Sequence, residues 1–481
     1  MSIKKNTLLN LSGTVIPIAV NLITVPIYLK LIGAERYGTL VILWALMGYF
    51  GFMDLGLGRA VAQRLAGVGA KSAYGRSSLV WTALGMTFSL GVLGGLVLWF
   101  SADFVLTRWV DMSLENLAEA KGAIPWFVVA MPLILNASIL TGALHGRQHF
   151  LAMNLIRVTG TTLAQVVPLT VAMTGHISLD CLVPAALSAR LVTLIINFRL
   201  CRRSLPLRNK PHFQSKHIKP LFHYGGWVSI MSLMAPLLVT IDRMVIGAMA
   251  GAKAVTFYTV PYSIVTRLMT LSGSLHSAIF PRLAAVQDRE ARNLVDRASR
   301  SLVALMTLVA LPGIALVHPF LILWVGEEFA NQSQGVGEVI LLGVLINSIV
   351  IPHHAYLMAN GKPRLISCIY LLQLPIYFLL LWLGLSQVGV LGAALAWTLR
   401  VLIDTILLLW ASSAFKRAVT YCFLPLILGT ASVLNALLYP VEEPVRWFLA
   451  GLLILFSICL GWDPLNKTAS IILRKKRSVS I

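Results

Sequence analysis

Charge is scarce in this 481-residue chain: Asp, Glu, Lys and Arg make up 12% of it, while 58% is hydrophobic. Soluble proteins carry about 25% charged residues and roughly half or less apolar ones, so this chain would leave too much apolar surface in water. Cysteine is scarce too. The five present, Cys181, Cys201, Cys368, Cys422 and Cys459, contain no Cys-x-x-Cys pair, which argues against a disulfide framework or a cysteine zinc site. His145 and His149 have ligand spacing but flank a turn at Gly146 and lack a nearby third ligand, and nothing else calls for a metal or a cofactor. Long hydrophilic stretches are also missing. The longest are roughly 20 residues, well short of the ~50 that the smallest soluble domains need.

What fills the chain instead is apolar runs. Taking roughly 20 residues as enough to cross a hydrocarbon core of about 30 Å gives about fourteen transmembrane helices. They are expected over 8–29, 38–62, 79–100, 123–144, 152–173, 179–197, 221–248, 255–280, 301–325, 336–359, 365–385, 388–411, 419–439 and 447–465. Continuous runs of this length exclude a barrel, whose strands alternate apolar and polar residues, so the expected class is an all-α polytopic membrane protein. Lys4 and Lys5 before the first run imitate a secretory signal. That run is too long, and no small-residue cleavage site follows it, so the first helix is expected to stay.

A net charge of +21 suggests a nucleic-acid binder until the charges are located. With the N-terminus cytoplasmic, 27 of the 39 Lys and Arg fall in loops and tails on that side, 6 in the opposite loops and 6 within helices. This is the positive-inside pattern. The basic loops have almost no interleaved aromatics, which argues against nucleic acid, and attraction to anionic lipid headgroups accounts for their charge. Glu35, Asp103, Asp111, Glu115, Glu119, Glu327, Glu328, Glu442 and Glu443 lie in the opposite loops, and an even number of spans puts both termini in the cytoplasm.

An offset of 218 residues pairs Gly33-Ala34 with Gly251-Ala252 and Arg64-Leu65-Ala66 with Arg282-Leu283-Ala284; Arg190 and Arg400 correspond after a small shift. The reading is two pseudo-symmetric six-helix bundles and two extra helices. The expected boundaries are an N-terminal bundle over 1–200, a cytoplasmic linker over 201–220, a second bundle over 221–412, and two helices with a basic tail over 413–481. Six helices per bundle makes the repeat parallel, and transporters built this way hold substrate between their halves.

Polar residues in the spans mark faces turned to protein or water. Asn10, Thr14, Pro17, Asn21, Thr24 and Tyr28 share one helical face, as do Ser229, Ser232, Pro236, Thr240 and Arg243, and the two stripes are expected to face a hydrated cleft. Arg267 lies mid-span on the face of Ser263, Thr270 and Ser274 and is the leading candidate for holding substrate. Arg190, Arg400, Arg59, Arg64, Arg157 and Asn21 are further candidates, although snorkelling to the headgroups accounts equally for Arg59 and Arg157. Asp54, Asp242, Glu338 and Asp404 are the acids well inside the spans, with Asp180 and Asp463 at the ends of theirs. Arginines this deep suit an anion, particularly a phosphate that a guanidinium grips with two hydrogen bonds. Asp404, Asp242 and Asp54 are candidates for ion coupling. Arg400 and Asp404, at i,i+4, are expected to form a structural salt bridge.

Several motifs then occur in order: Asn10 to Gly13; the Leu31-Ile-Gly-Ala-Glu-Arg-Tyr-Gly38 turn; Met53-Asp54-Leu55-Gly56-Leu57-Gly58; Asp242-Arg243 through Tyr258; Phe280-Pro281-Arg282-Leu283; Trp324 to Phe329; Ala359-Asn360-Gly361-Lys362; and Gly389 to Ala394. Together they resemble the polysaccharide transporter family, with its O-antigen flippases, of the multidrug, oligosaccharidyl-lipid and polysaccharide exporter superfamily. The resemblance covers nearly the whole chain. It implies a flippase of the bacterial inner membrane that carries an undecaprenyl-pyrophosphate-linked oligosaccharide from the cytoplasmic to the periplasmic leaflet by alternating access. It also implies work beside a polysaccharide polymerase and chain-length proteins, by a chain acting as a monomer.

Two other readings compete. A drug or cation antiporter of the same superfamily would want carboxylates rather than mid-span arginines, and would not need the two extra helices. A polytopic polymerase or glycosyltransferase would want acids or a nucleophile grouped on a sizeable outer loop; those between Asp103 and Glu119 are spread out and form no Asp-x-Asp motif.

Overall fold

The computed structural model describes residues 3–67, 73–147, 149–205, 213–214, 218–270, 272–273, 283 and 288–438, with isolated positions between 445 and 456. Among these residues all regular structure is helical. The long helices are α1 (Ile3–Phe50), α2 (Leu57–Gly67), α3 (Ala73–Arg108), α4 (Leu114–Ala123), α5 (Trp126–Gly146), α6 (Phe150–Met173), α7 (Leu179–Ser204), α8 (Ile218–Val265), α9 (Asp288–Val325), α10 (Glu327–Ala359), α11 (Pro363–Ala411) and α12 (Phe415–Leu438). Ten of these are long and apolar enough to cross a membrane. The protein is an all-helical, multi-pass membrane protein.

Ten helices take in the expected spans up to 439, some only in part, and three of the ten are folded pairs. At 48 residues, α1 would run about 72 Å if straight, more than twice the hydrocarbon thickness. It is broken at Gly33 (φ 77°, ψ 167°), and α8 breaks at Gly251 with nearly the same angles (φ 83°, ψ 171°). That region of backbone space is open essentially to glycine alone, so the 218-residue repeat reappears as a shared kink. The third pair is α11, broken at Val388–Gly389. The fourteenth expected span, 447–465, lies largely outside the described residues.

The second expected span is not one helix. A 3-10 turn at Gly51–Asp54 and left-handed Leu55 and Gly56 interrupt it before α2, because the Asp54 carboxylate accepts the Gly56 N–H at 2.7 Å and fixes the turn. The expected outer loop after Ser101 is likewise more ordered than its composition suggests: α3 runs on to Arg108, and α4 starts on a Ser113 N-cap that accepts the Asn116 N–H.

Contacts divide the chain into Met1–Thr256 and Phe257–Ile481. In the first unit Leu57, Val61 and Leu65 of α2 pack with Val80 and Ala83 of α3 and with Ile139, Leu140 and Leu144 of α5. Gly91 and Gly95 bring the backbone of α3 against Met131, Pro132 and Val128 of α5. Lipid tails are as apolar as leucine, so such close van der Waals fit, rather than escape from water, holds membrane helices together. A second cluster joins Tyr28 and Ile32 of α1 to Leu169 and Ala172 of α6 and Leu182 of α7. In the second unit α10 is the most enclosed helix, with Gly343 seated against Trp397 and Thr398 of α11.

Candidate functional site

Each unit lays an arginine guanidinium over an aromatic ring. In the first, Arg190 of α7 lies with its guanidinium carbon 4.9 Å from the centre of the Trp44 ring on α1. In the second, Arg400 of α11 lies 5.4 Å from the ring of Tyr377 on the other limb of the same helix. Both side chains are half-buried, and in both the Nε atom is buried with no hydrogen-bond partner. A ring face supplies cation–π attraction of about 0.5–2 kcal/mol but no lone pair, so the Nε–H of each fork remains to be satisfied from elsewhere. Trp44 and Tyr377 escape sequence reading because neither is near its arginine in the chain.

Arg267 sits in a short 3-10 turn, Thr266–Leu268, half-buried, and its Nε donates to the Ser263 carbonyl at 3.2 Å. One of its donors is thereby turned back on its own helix. Arg59 is exposed on α2, Arg64 is half-buried on the same helix, and Arg157 is exposed on α6. Asn21 is half-buried, and its Oδ1 is buried without a partner. Further along the same stripe Thr24 is buried, and Tyr28 donates its hydroxyl to the Gln165 carbonyl of α6 at 2.8 Å, so this part of the stripe turns toward α6. The side chains of Asn10, Thr14, Ser229, Ser232 and Pro236 lie outside the described residues.

Asp54, Asp242 and Asp404 are engaged with the protein. Asp54 accepts Gly56 N–H with one oxygen and the Ser138 hydroxyl, at 2.7 Å, with the other. The buried Asp242 accepts the Arg243 N–H at 2.7 Å, and the Arg243 guanidinium curls back to 3.8 Å from it, so adjacency in sequence does not keep the two side chains apart. Asp404 accepts the Gln373 side-chain N–H at 2.7 Å. The expected Arg400–Asp404 bridge is therefore not formed: Gln373 takes the carboxylate and Tyr377 takes the guanidinium. Among the described residues no group of three or more His, Cys, Asp or Glu is placed to hold a metal.

A junction joins the kinks of α1 and α8. The Thr256 hydroxyl donates to the Ala34 carbonyl at 2.6 Å, and a Cβ on Gly38 would strike the Ala252 carbonyl. The 218-residue offset takes 34 to 252 and 38 to 256, so each residue of one turn meets the counterpart of the other residue, as across a two-fold axis. Asp111 seals it: its N–H donates to Gly247 O at 3.2 Å, and its carbonyl accepts Ala252 N–H at 3.0 Å. Alongside, Glu35 accepts Ser113 N–H at 2.6 Å, and Arg36 bridges Glu115 (2.6 Å) and Glu119 (2.8 Å). Glu119 also accepts Leu179 N–H at the start of α7. This acid-rich end of the first unit is thus closed by backbone contacts and ion pairs.

Among proteins of known sequence, the chain is 26% identical over 415 residues to a putative O-antigen transporter of Shigella flexneri, covering 85% of this chain and 97% of that one. It is 23% identical over 227 residues to the lipopolysaccharide biosynthesis protein WzxC of Escherichia coli strain K12, covering 45% and 46% of the two chains. Among solved structures, the lipid II flippase MurJ in an inward closed conformation matches with a TM-score of 0.70 at 15% identity, over 98% of this chain and 99% of that one. An inward-facing multidrug resistance MATE transporter of the MOP superfamily matches at 0.67 and 14% identity, over 87% and 96%. These two likenesses establish the fold. Residues 3–287, more than half of the chain, match the polysaccharide biosynthesis protein family, and the chain belongs to that family.

Proposed function

We propose that the protein is a flippase that moves a polyprenyl-pyrophosphate-linked oligosaccharide from the cytoplasmic to the periplasmic leaflet of the bacterial inner membrane by alternating access. The observation that carries this reading is the pair Arg190 and Arg400, each stacked on a ring with its Nε unpartnered, while Asp54 and Asp404 accept hydrogen bonds from the protein. Guanidinium groups inside a membrane protein whose Nε–H lacks a partner favour a phosphate-bearing cargo, which meets them bidentately. The same observation weighs against an antiporter of cationic drugs. In this proposal Arg190 and Arg400 rank above Arg267. Arg59, Arg64, Arg157 and Asn21 belong to the route, and Asp54, Asp242 and Asp404 remain candidates for ion coupling.

The organisation proposed with it is two six-helix bundles and two extra helices, both termini cytoplasmic, with the junction of α1 and α8 at the periplasmic end. The test is to delete the gene and follow the lipid-linked oligosaccharide: it should accumulate on the cytoplasmic leaflet, and the wild-type gene should restore polymer at the cell surface. Normal surface polymer in the deletion strain, with no second flippase present, would refute the proposal.

A further inference from the structure

A groove of about 750 Å³ opens on the first unit between α3, α5 and α7. Trp81, Phe88, Leu133 and Phe198 form its wall, and Phe88 is 57% exposed, so it faces outward from the helices. The amide in this wall, Asn136, is already satisfied: its Oδ1 accepts from Thr87 at 3.1 Å, and its Nδ2 donates to the Pro132 carbonyl at 2.8 Å. Trp81 buries its Nε1–H without a partner, and the rest of this wall is apolar and suits a hydrocarbon chain; the volume falls within the ~300–1,000 Å³ of ligand sites. The charge is confined to one end. Arg199 and Arg202, both exposed on the last turns of α7, line the mouth, and no acid lines it among the described residues.

Two residues of the linker, Phe213 and Gln214, lie against α3 at this groove. Phe213 lines the groove and lies against Gly85 of α3, and the Gln214 N–H donates to the Thr82 hydroxyl at 3.0 Å. A ligand seated there would touch three helices and the chain that leads into α8.

We propose that this groove holds a resident anionic phospholipid, with an acyl chain along Phe88 and Leu133 and the phosphate between Arg199 and Arg202. An apolar trough with a basic mouth at the basic end of a membrane helix matches the two parts of such a lipid, and basic pockets between helices are where anionic headgroups bind. The phospholipid pins the linker onto α3 and is not the cargo, because the site lies within one unit and uses neither Arg190 nor Arg400.

The test is native mass spectrometry of the purified full-length protein with cardiolipin or phosphatidylcholine added in turn. Cardiolipin should remain bound where phosphatidylcholine leaves. Each arginine removed should weaken retention about fivefold, so R199A/R202A should lose most of it, R199K/R202K should keep part, and R203A, a neighbouring exposed arginine outside the groove, should match wild type. Leu194→Trp, which fills the trough, should weaken binding with both arginines intact. Equal retention of phosphatidylcholine, or unchanged cardiolipin retention in R199A/R202A, would overturn the proposal. So would displacement of cardiolipin by an equal concentration of undecaprenyl phosphate, which would assign the groove to the cargo's tail instead.

Discussion

Gly38→Ala adds one methyl group where α1 meets α8. Built on the backbone, that carbon falls onto the Ala252 carbonyl and lies 2.7 Å from the Thr256 hydroxyl, so the two turns must separate. Overpacking of this kind costs about 1–3 kcal/mol. Separation also stretches the 2.6 Å Thr256–Ala34 hydrogen bond, worth about 1 kcal/mol. The closed junction is therefore destabilised by about 2–4 kcal/mol relative to a state in which the turns are apart, a shift of about 30- to 700-fold in that equilibrium. The assay is labelling of an Ala34→Cys reporter, in a background without native cysteines, by a membrane-impermeant maleimide in intact cells. Adding Gly38→Ala should accelerate labelling by at least tenfold at equal protein levels. An unchanged rate would mean that the junction is not a barrier to opening.

Further outcomes follow from the same end of the molecule. Arg36→Ala should destabilise the purified protein by about 1–2 kcal/mol, because Arg36 and Glu119 are both largely shielded (side-chain exposure 19% and 14%), whereas Glu115→Ala, at 77% exposure, should cost under ~0.5 kcal/mol. Thermal melts in detergent separate the two; equal effects would contradict the shielding argument. Reporter fusions after Lys210 and after Asp111 should read cytoplasmic and periplasmic, as the 27 to 6 division of basic loop residues requires, and the reverse would invert the orientation. Asp54→Asn should preserve folding only in part. Asparagine can still accept the Gly56 N–H but lacks the charge on both short hydrogen bonds, and a melting temperature equal to wild type would show the turn to be set by Leu55 and Gly56 alone.

The helical class was legible because membrane helices need long apolar runs and this chain consists of them. The 218-residue repeat was legible at Gly33-Ala34 and Gly251-Ala252, and the structure gives those positions the same backbone angles. Their contact was not, since the Thr256–Ala34 bond joins residues 222 apart and depends on how two kinked helices meet. The same limit explains the acids and arginines. Helical spacing correctly placed Arg400 and Asp404 one turn apart, but partners 23 and 31 residues back along α11 became neighbours only because Val388 and Gly389 fold the helix on itself. The break at Asp54 was written in Met53-Asp-Leu-Gly56 as an Asp with a glycine two residues on, a turn signal hidden inside an apolar run.

The central claim is that intramembrane guanidinium groups hold the diphosphate of the cargo. The direct measurement is the rate at which purified protein in vesicles moves a fluorescent polyprenyl-pyrophosphate oligosaccharide between leaflets, compared across wild type, Arg190→Ala, Arg400→Ala and the corresponding Lys and Glu variants. A charge-assisted hydrogen bond to phosphate is worth about 1.5–3 kcal/mol, so each Ala variant should be slower by one to two orders of magnitude if binding limits the rate. Lys should retain part of the rate, and Glu should abolish it with the protein correctly inserted. Wild-type rates in both Glu variants would contradict the account.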